Sequence, residues 1–249
     1  MRFRRRTLQR APLADAGPSM APVAAGNPAS QQPPSAETPG IGHVGAGTGL
    51  AFCTGVQALL LNGALSGDEG LAPIEAEISA MLTARGWSVE RVHLRDVFVA
   101  NCKGCFNCWV KTPGVCGTRD GAGAITQSLA RSDLAVFLSP VTFGGYSSEL
   151  KKVLDRSIGL VSPFFMRIGG EVHHRPRYAR YPALLAVGVT ADLDPEEGHI
   201  FARLVARNAV NLHAPASSAV VVSRDDSPDR IRQAVARGLA QVTARRGVA

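Results

Sequence analysis

Cysteine is almost missing from this chain of 249 residues: of its five cysteines, four fall between positions 102 and 116. Scarcity elsewhere makes that clustering informative, because a disulfide framework would distribute its cysteines over the fold. Aromatic residues make up only 6% and are not interleaved with the basic ones. The formal charge of +7 is therefore not organised as the dense Lys/Arg stripe of a nucleic-acid binder. Five arginines in the first ten residues account for much of it, against Asp15 and Glu37. No stretch approaches the roughly 20 apolar residues that a membrane-spanning helix needs. There is no G-x-G-x-x-G fingerprint and no P-loop. No Ser/His/Asp or Cys/His triad is visible either.

What remains is an ordinary globular composition, 45% hydrophobic and 19% charged, with ample apolar material for a core. Residues 1–50 are rich in Ala, Pro, Gly and Ser and have neither helical nor strand period. That composition predicts a disordered tail, followed by one domain over residues 51–249. Pro12, Asp15, Pro18 and Pro22 interrupt any apolar stretch after the early arginines, so a secretory leader is not expected. A cytoplasmic, reducing setting is, and there clustered cysteines read as metal-binding or redox-active.

From Val56 the pattern becomes regular. Val56–Asn62 is a continuous apolar run of buried parallel-strand type. Ile74, Ile78, Met81 and Leu82 repeat at helical spacing, with Pro73 at the start, Glu75 and Glu77 outside and Gly86 as a stop. Val89, Val92 and Leu94 suggest a second strand, Ala122–Ala130 a helix, and Leu134–Ser139 a third strand. A helix over Glu149–Leu160, a strand at Ala183–Val189, a helix over Pro195–Leu212, a strand at Ala219–Val222 and a helix over Pro228–Thr243 complete the alternation. Five strands alternating with helices predict an α/β fold, a doubly wound parallel sheet in a three-layer α/β/α sandwich. Ligands in such sheets bind at the carboxyl ends of the strands.

Three loops belong to that edge. Residues 62–70 join the first strand to its helix. A Gly/Ser loop at a helix start binds phosphate through backbone N–H groups, or serves as a tight connection with Ser66 or Asp68 as N-cap. Asp68 and Glu69 would compete with an anion there. Residues 139–148 mix Phe143 with glycines and hydroxyls, a composition suited to approaching a flat ring; alternatively they form a surface loop with Ser147 as helix cap. The third loop carries Cys102, Cys105, Cys108 and Cys116, spaced C-x2-C-x2-C-x7-C. Three thiolates in one turn with a fourth returning suit an iron–sulfur cluster, and less well a tetrahedral zinc; a redox-silent or disulfide-forming set is the alternative. Cys53 reads as a small buried hydrophobe. His173, His174, Arg175, Arg177 and Arg180 suit a solvated connecting loop, or contact with a cofactor phosphate or partner subunit. Asp155 and Arg156 suggest an ion pair on a helix, and Asp120 a helix cap.

Together these residues resemble the flavodoxin-like NAD(P)H-dependent FMN reductases, in particular the iron–sulfur flavoproteins among them. The resemblance rests on the cysteine pattern, Ser132-Asp133, Ser139–Gly144, the run Leu150–Arg156 and the stretch His174–Tyr178, and extends from Val56 to the C-terminus. It implies a flavodoxin sheet of order 2-1-3-4-5. It implies FMN, with Gly63, Ser66 and their neighbours holding the phosphate, and Pro140, Val141, Thr142, Phe143, Gly144, Gly145 and Ser147 cradling the isoalloxazine ring. The cysteine quartet would bind a 4Fe-4S cluster. Two positions depart from the family pattern: the phosphate loop lacks its basic residue and carries two acids, and Thr142 stands where an aromatic residue is common.

The function so implied is oxidoreduction: NADH or NADPH reduces the flavin, and electrons leave, through the cluster if present, to a small-molecule or protein acceptor. A homodimer or homotetramer would let the cysteine loop of one copy reach the flavin of another. The competing expectation is a flavin-free domain whose cysteines hold a structural metal and which acts as a binding module.

Overall fold

The computed structural model describes residues 55–191 and 194–244. The expectations for the tail over residues 1–50 and for Cys53 lie outside the described residues. The elements in chain order are β1 (Gln57–Asn62), α1 (Ala72–Thr83), β2 (Ser88–His93), α2 (Asn107–Val110), α3 (Ala122–Arg131), β3 (Leu134–Pro140), α4 (Ser148–Arg156), β4 (Val161–Ile168), β5 (Glu171–Pro176), β6 (Ala183–Thr190), α5 (Pro195–Asn211), β7 (Ser217–Ser223) and α6 (Pro228–Thr243). Short 3-10 turns follow β2 and α4.

Five strands form one sheet in the order β2-β1-β3-β6-β7, every neighbouring pair parallel. With the hairpin set aside, this is the expected 2-1-3-4-5 order, and the fold is flavodoxin-like. Alternation along each strand explains the layers. Leu60, Val136, Leu138, Leu185 and Val187 face α1 and α6, meeting Ile74, Ile78, Val235 and Leu239. Leu59, Leu61, Phe137, Leu184 and Ala186 face α3, α4 and α5, meeting Ile125, Leu129, Val153, Phe201 and Val205. Burial on both faces is why these strands read as unbroken apolar runs.

Four local expectations are corrected. Residues 161–176 form an antiparallel hairpin, β4 with β5, rather than a connecting loop. Its turn is Gly169-Gly170, both at positive φ, the pairing that a tight two-residue turn requires. Glu75 is buried rather than outside: it accepts a hydrogen bond from Asn62 Nδ2 at 2.6 Å and pairs with His93 Nε2 at 2.9 Å. Asp155 bonds Lys151 instead of its neighbour, leaving Arg156 to a different partner. The helix expected over Glu149–Leu160 stops at Arg156, and Ser157–Leu160 continues as a 3-10 turn.

Candidate functional site

The carboxyl ends of β1 and β3 bring two loops into contact. Asn62 starts the first: its buried Oδ1 accepts from Ala64 N at 2.8 Å, while its Nδ2 is held by Glu75. Gly63 N donates to Leu138 O at 2.8 Å. A Cβ on Gly63 would lie 2.7 Å from Ser147 Oγ and 3.2 Å from Leu150 Cβ, so only glycine lets the two loops touch. Beyond it, the N–H groups of Leu65, Ser66 and Gly67 make no hydrogen bond within the described residues. Unengaged amides in a turn before a helix suit an anionic oxygen.

Neither Ser66 nor Asp68 caps α1; its N-cap is Leu71, without a side-chain bond. Asp68 instead accepts Gly70 N at 3.0 Å and both Nη groups of Arg224 at 2.8 and 2.6 Å. Glu69 pairs with Arg95 at 2.8 Å, and Arg95 also donates to Asp68 O. The two acids therefore leave no net negative charge on the loop, because arginines from the ends of β2 and β7 balance them. The basic group missing from the local sequence arrives from distant strands. The Arg224 hydrogen bond is the chief cause that holds the Asp68 carboxyl below its usual value, the Gly70 amide adding to it against the opposing effect of burial.

The second loop is tied by hydrogen bonds of its own. Ser139, fully buried, donates to Pro140 O and accepts from Ser147 N at 2.9 Å. Ser147 Oγ in turn accepts from Leu150 N, capping α4 as expected. Thr142 and Gly145 exchange backbone bonds at 3.0 and 2.8 Å, and the tip between them, Phe143-Gly144, has φ of 50° and 72°. Phe143 is 91% exposed at that tip. Leu65, Phe98 and Ile200 are further exposed apolar side chains on loops or helix starts at the carboxyl edge. Tyr146 packs beneath, edge-on to Phe137 and Phe201, and its hydroxyl is pushed up to about 12 by burial.

The third loop carries the cysteines. It docks sideways, through α2, against the turn after α4. Trp109 Nε1 donates to Ile158 O at 3.1 Å and Val161 O at 2.9 Å. A run of rings continues outward: Phe106 stacks on Trp109 at 5.3 Å, and His174 lies 4.7 Å from both Trp109 and Phe165. Cys102 and Cys105 are exposed, Cys116 is partly covered and Cys108 is buried. Among the described residues, no group of three or more His, Cys, Asp or Glu side chains is gathered closely enough for a single metal ion. The Cys108 thiol has Cys116, Cys102 and Cys105 as charged neighbours, so the four share one region of the loop. Burial, with the charge of Cys116 beside it, pushes the Cys108 thiol up. At Cys116 burial also opposes ionisation, but the Thr118 amide and the Arg156 guanidinium outweigh it and lower the thiol.

Arg156 was not expected here. It is buried with Asp120 in a salt bridge at 2.8 Å, the two side chains 1% and 2% exposed. Asp120 also accepts from Ala122 N at 3.1 Å, but the N-cap of α3 is Gly121, without a side-chain bond, so the expected cap is replaced by a turn before the helix. The basic run before β6 holds secondary structure together: His173 bonds Asn211 and Glu171, Arg177 donates to Gly159 O, and Arg180 pairs with Asp133. Arg95, Trp109 and Arg224 escaped sequence reading, since each acts across the fold; Asn62, Glu75 and Ser139 lay in patterns already named, but their buried hydrogen bonds were not foreseen.

The chain matches the NADPH-dependent FMN reductase family over residues 58–189, more than half its length and a span containing all three loops. An iron–sulfur flavoprotein of Methanocaldococcus jannaschii is 34% identical over 93 residues, 36% of this chain and 47% of that protein. One from Archaeoglobus fulgidus is 28% identical over 102 residues, 41% of this chain and 49% of its own. The chain thus spans about half the length of the curated relatives it matches. Among solved structures, an NAD(P)H:quinone oxidoreductase from Methanothermobacter marburgensis superposes with a TM-score of 0.56 at 12% identity, covering 76% of this chain and 99% of that one. An azoreductase from Bacillus anthracis gives 0.52 at 12% identity, covering 75% and 96%; both likenesses concern the fold. The chain belongs to the NADPH-dependent FMN reductase family, and within it resembles the iron–sulfur flavoproteins.

Proposed function

We propose that the protein is an FMN-dependent NAD(P)H oxidoreductase whose cysteine quartet holds a 4Fe-4S cluster. The observation that carries this reading is the contact of the two loops at Gly63 and Ser147. It sets unengaged amides beside a hydrogen-bonded turn at the edge where a doubly wound sheet takes its ligand. Gly63, Ser66 and the neighbouring amides would hold the FMN phosphate. Pro140, Val141, Thr142, Phe143, Gly144, Gly145 and Ser147 would support the ring, with Phe143 against its face. Bound there, FMN supplies hydride acceptance from NADH or NADPH and release of electrons to an acceptor. The chain's share is binding, orientation and exclusion of water.

Cys102, Cys105, Cys108 and Cys116 would ligate the cluster, which supplies one-electron transfer. A surface loop of this kind can place a cluster beside the flavin of a neighbouring copy. A homodimer or homotetramer is therefore part of the reading, with the cysteine loop of one copy facing the flavin of another. The acceptor is a small molecule or a protein that takes electrons singly.

Anaerobic purification followed by a visible spectrum and assays of flavin, iron and acid-labile sulfide tests the whole reading. Flavin with iron and sulfide is expected. Flavin alone reduces the protein to a simple reductase, and zinc alone favours a structural module. Cys105→Ala should remove the iron signal while the melting of the sheet is unchanged; stoichiometric iron in that variant would remove the quartet from the assignment. A monomer that transfers electrons at full rate contradicts the inter-subunit arrangement.

A further inference from the structure

The cysteine loop has a neck, and one side chain closes it. Ala100 precedes the loop and Asp120 follows it, with Ala100 N donating to Asp120 Oδ2 at 2.9 Å. Arg156, from the end of α4, inserts between them. Its Nη1 donates to Ala100 O and Asp120 Oδ2, both at 2.8 Å. Its Nη2 donates to Asp120 Oδ1 at 3.0 Å and Thr118 O at 3.2 Å. Both strands of the neck are thus gripped by one planar fork, a geometry that lysine cannot reproduce.

Cys102 lies two residues beyond Ala100, and Cys116 two residues before Thr118. The fork therefore spaces the first and last cysteines, whereas Trp109 fixes the middle of the loop next to Cys108. Cys116 is a direct neighbour of the guanidinium. The remaining donor, Nε, is buried and has no hydrogen-bond partner among the described residues. A buried N–H without an acceptor is costly unless something fills the role. A negatively charged, thiolate-bound group held by Cys116 would do so.

We propose that Arg156 is a positioning residue for the metal group on this loop, gripping the neck so that Cys102 and Cys116 stay in register and setting a buried positive charge against the group's negative one. This rests on the cluster reading above. Supporting residues of this kind change metal affinity about 10- to 100-fold when altered, and charge next to a cluster shifts its potential.

The test uses the full chain reconstituted anaerobically with ferrous iron and sulfide. Iron retention against a chelator is measured together with the cluster's midpoint potential by electron paramagnetic resonance; flavin content and far-UV circular dichroism serve as controls. Arg156→Met should lose iron about 10- to 100-fold more readily, with flavin and dichroism unchanged, and the cluster that remains should have a more negative potential. Arg156→Lys keeps the charge without the fork, so its potential should return towards that of the wild type while iron retention stays impaired. If Arg156→Met fails to fold, Arg156→Lys decides, and retention equal to wild type overturns the proposal. Iron in the wild type, with equal retention and potential in both variants, removes the clasp alone. A wild-type chain that takes up no iron removes the cluster reading, and the clasp with it.

Discussion

Gly144 sits at φ +72° with its missing Cβ position 2.5 Å from Ile200 Cγ2. Alanine there would meet both a left-handed backbone and a packed side chain. We expect Gly144→Ala to cost about 1–3 kcal/mol, seen as a fall in Tm, and to weaken FMN binding because the loop between Thr142 and Gly145 is displaced. An unchanged melt with unchanged flavin affinity would show the turn to be dispensable. Asp68 gives a pH prediction. Its carboxyl titrates below the ordinary 3.8 in the folded protein. The pair with Arg224 therefore stabilises fully above that ordinary value and is lost as pH falls through the lowered one. The stability difference between wild type and Asp68→Asn should be flat above about pH 5 and should close below about pH 4. A difference that changes instead near neutrality would assign the effect to another group.

Among the elements, the central strands β1, β3 and β6 were legible because burial on both faces leaves an apolar run with little ambiguity. The last helix, Pro228–Thr243, follows directly from its proline start and period. The hairpin was hidden for the opposite reason. Its strands expose Phe164, Phe165 and Val172 and carry basic residues, so no alternating pattern marks them; Gly169-Gly170 was the available signal. Arg156 shows the limit at the site. Next to Asp155 it invites a local pairing, yet its side chain reaches 36 positions back to Asp120, a partner that no spacing rule selects. The cysteine window itself was plain from clustering, but where it docks depends on Trp109 and two carbonyls of a distant turn. Trp109→Phe should keep the ring stack and lose both hydrogen bonds, each worth about 0.5–1.5 kcal/mol. We expect faster hydrogen exchange and proteolysis within residues 101–116, with little change in global melting. Equal exchange rates would show that the loop is held by the neck alone.

For the whole molecule, the balance of charge on the phosphate-side loop depends on strands that flank it from both sides of the sheet. Arg224→Met would leave Asp68 uncompensated where a dianion is expected. FMN affinity should fall roughly 10-fold at low ionic strength, consistent with the loss of a charged hydrogen bond, and the gap should narrow as salt is added. Affinity independent of Arg224 at every salt concentration would place the phosphate elsewhere.

The Asp68–Arg224 bond joins residues 156 positions apart. During synthesis from the N-terminus, the first strand and its loop exist long before the arginine that completes the loop has been made. Closing so wide a separation also belongs to the slow, non-local part of folding. The loop's finished form is thus a property of the completed chain: a ribosome-bound fragment ending before β7 would have the strand, the glycine and the amides, but both acids of the loop with only Arg95 to oppose them.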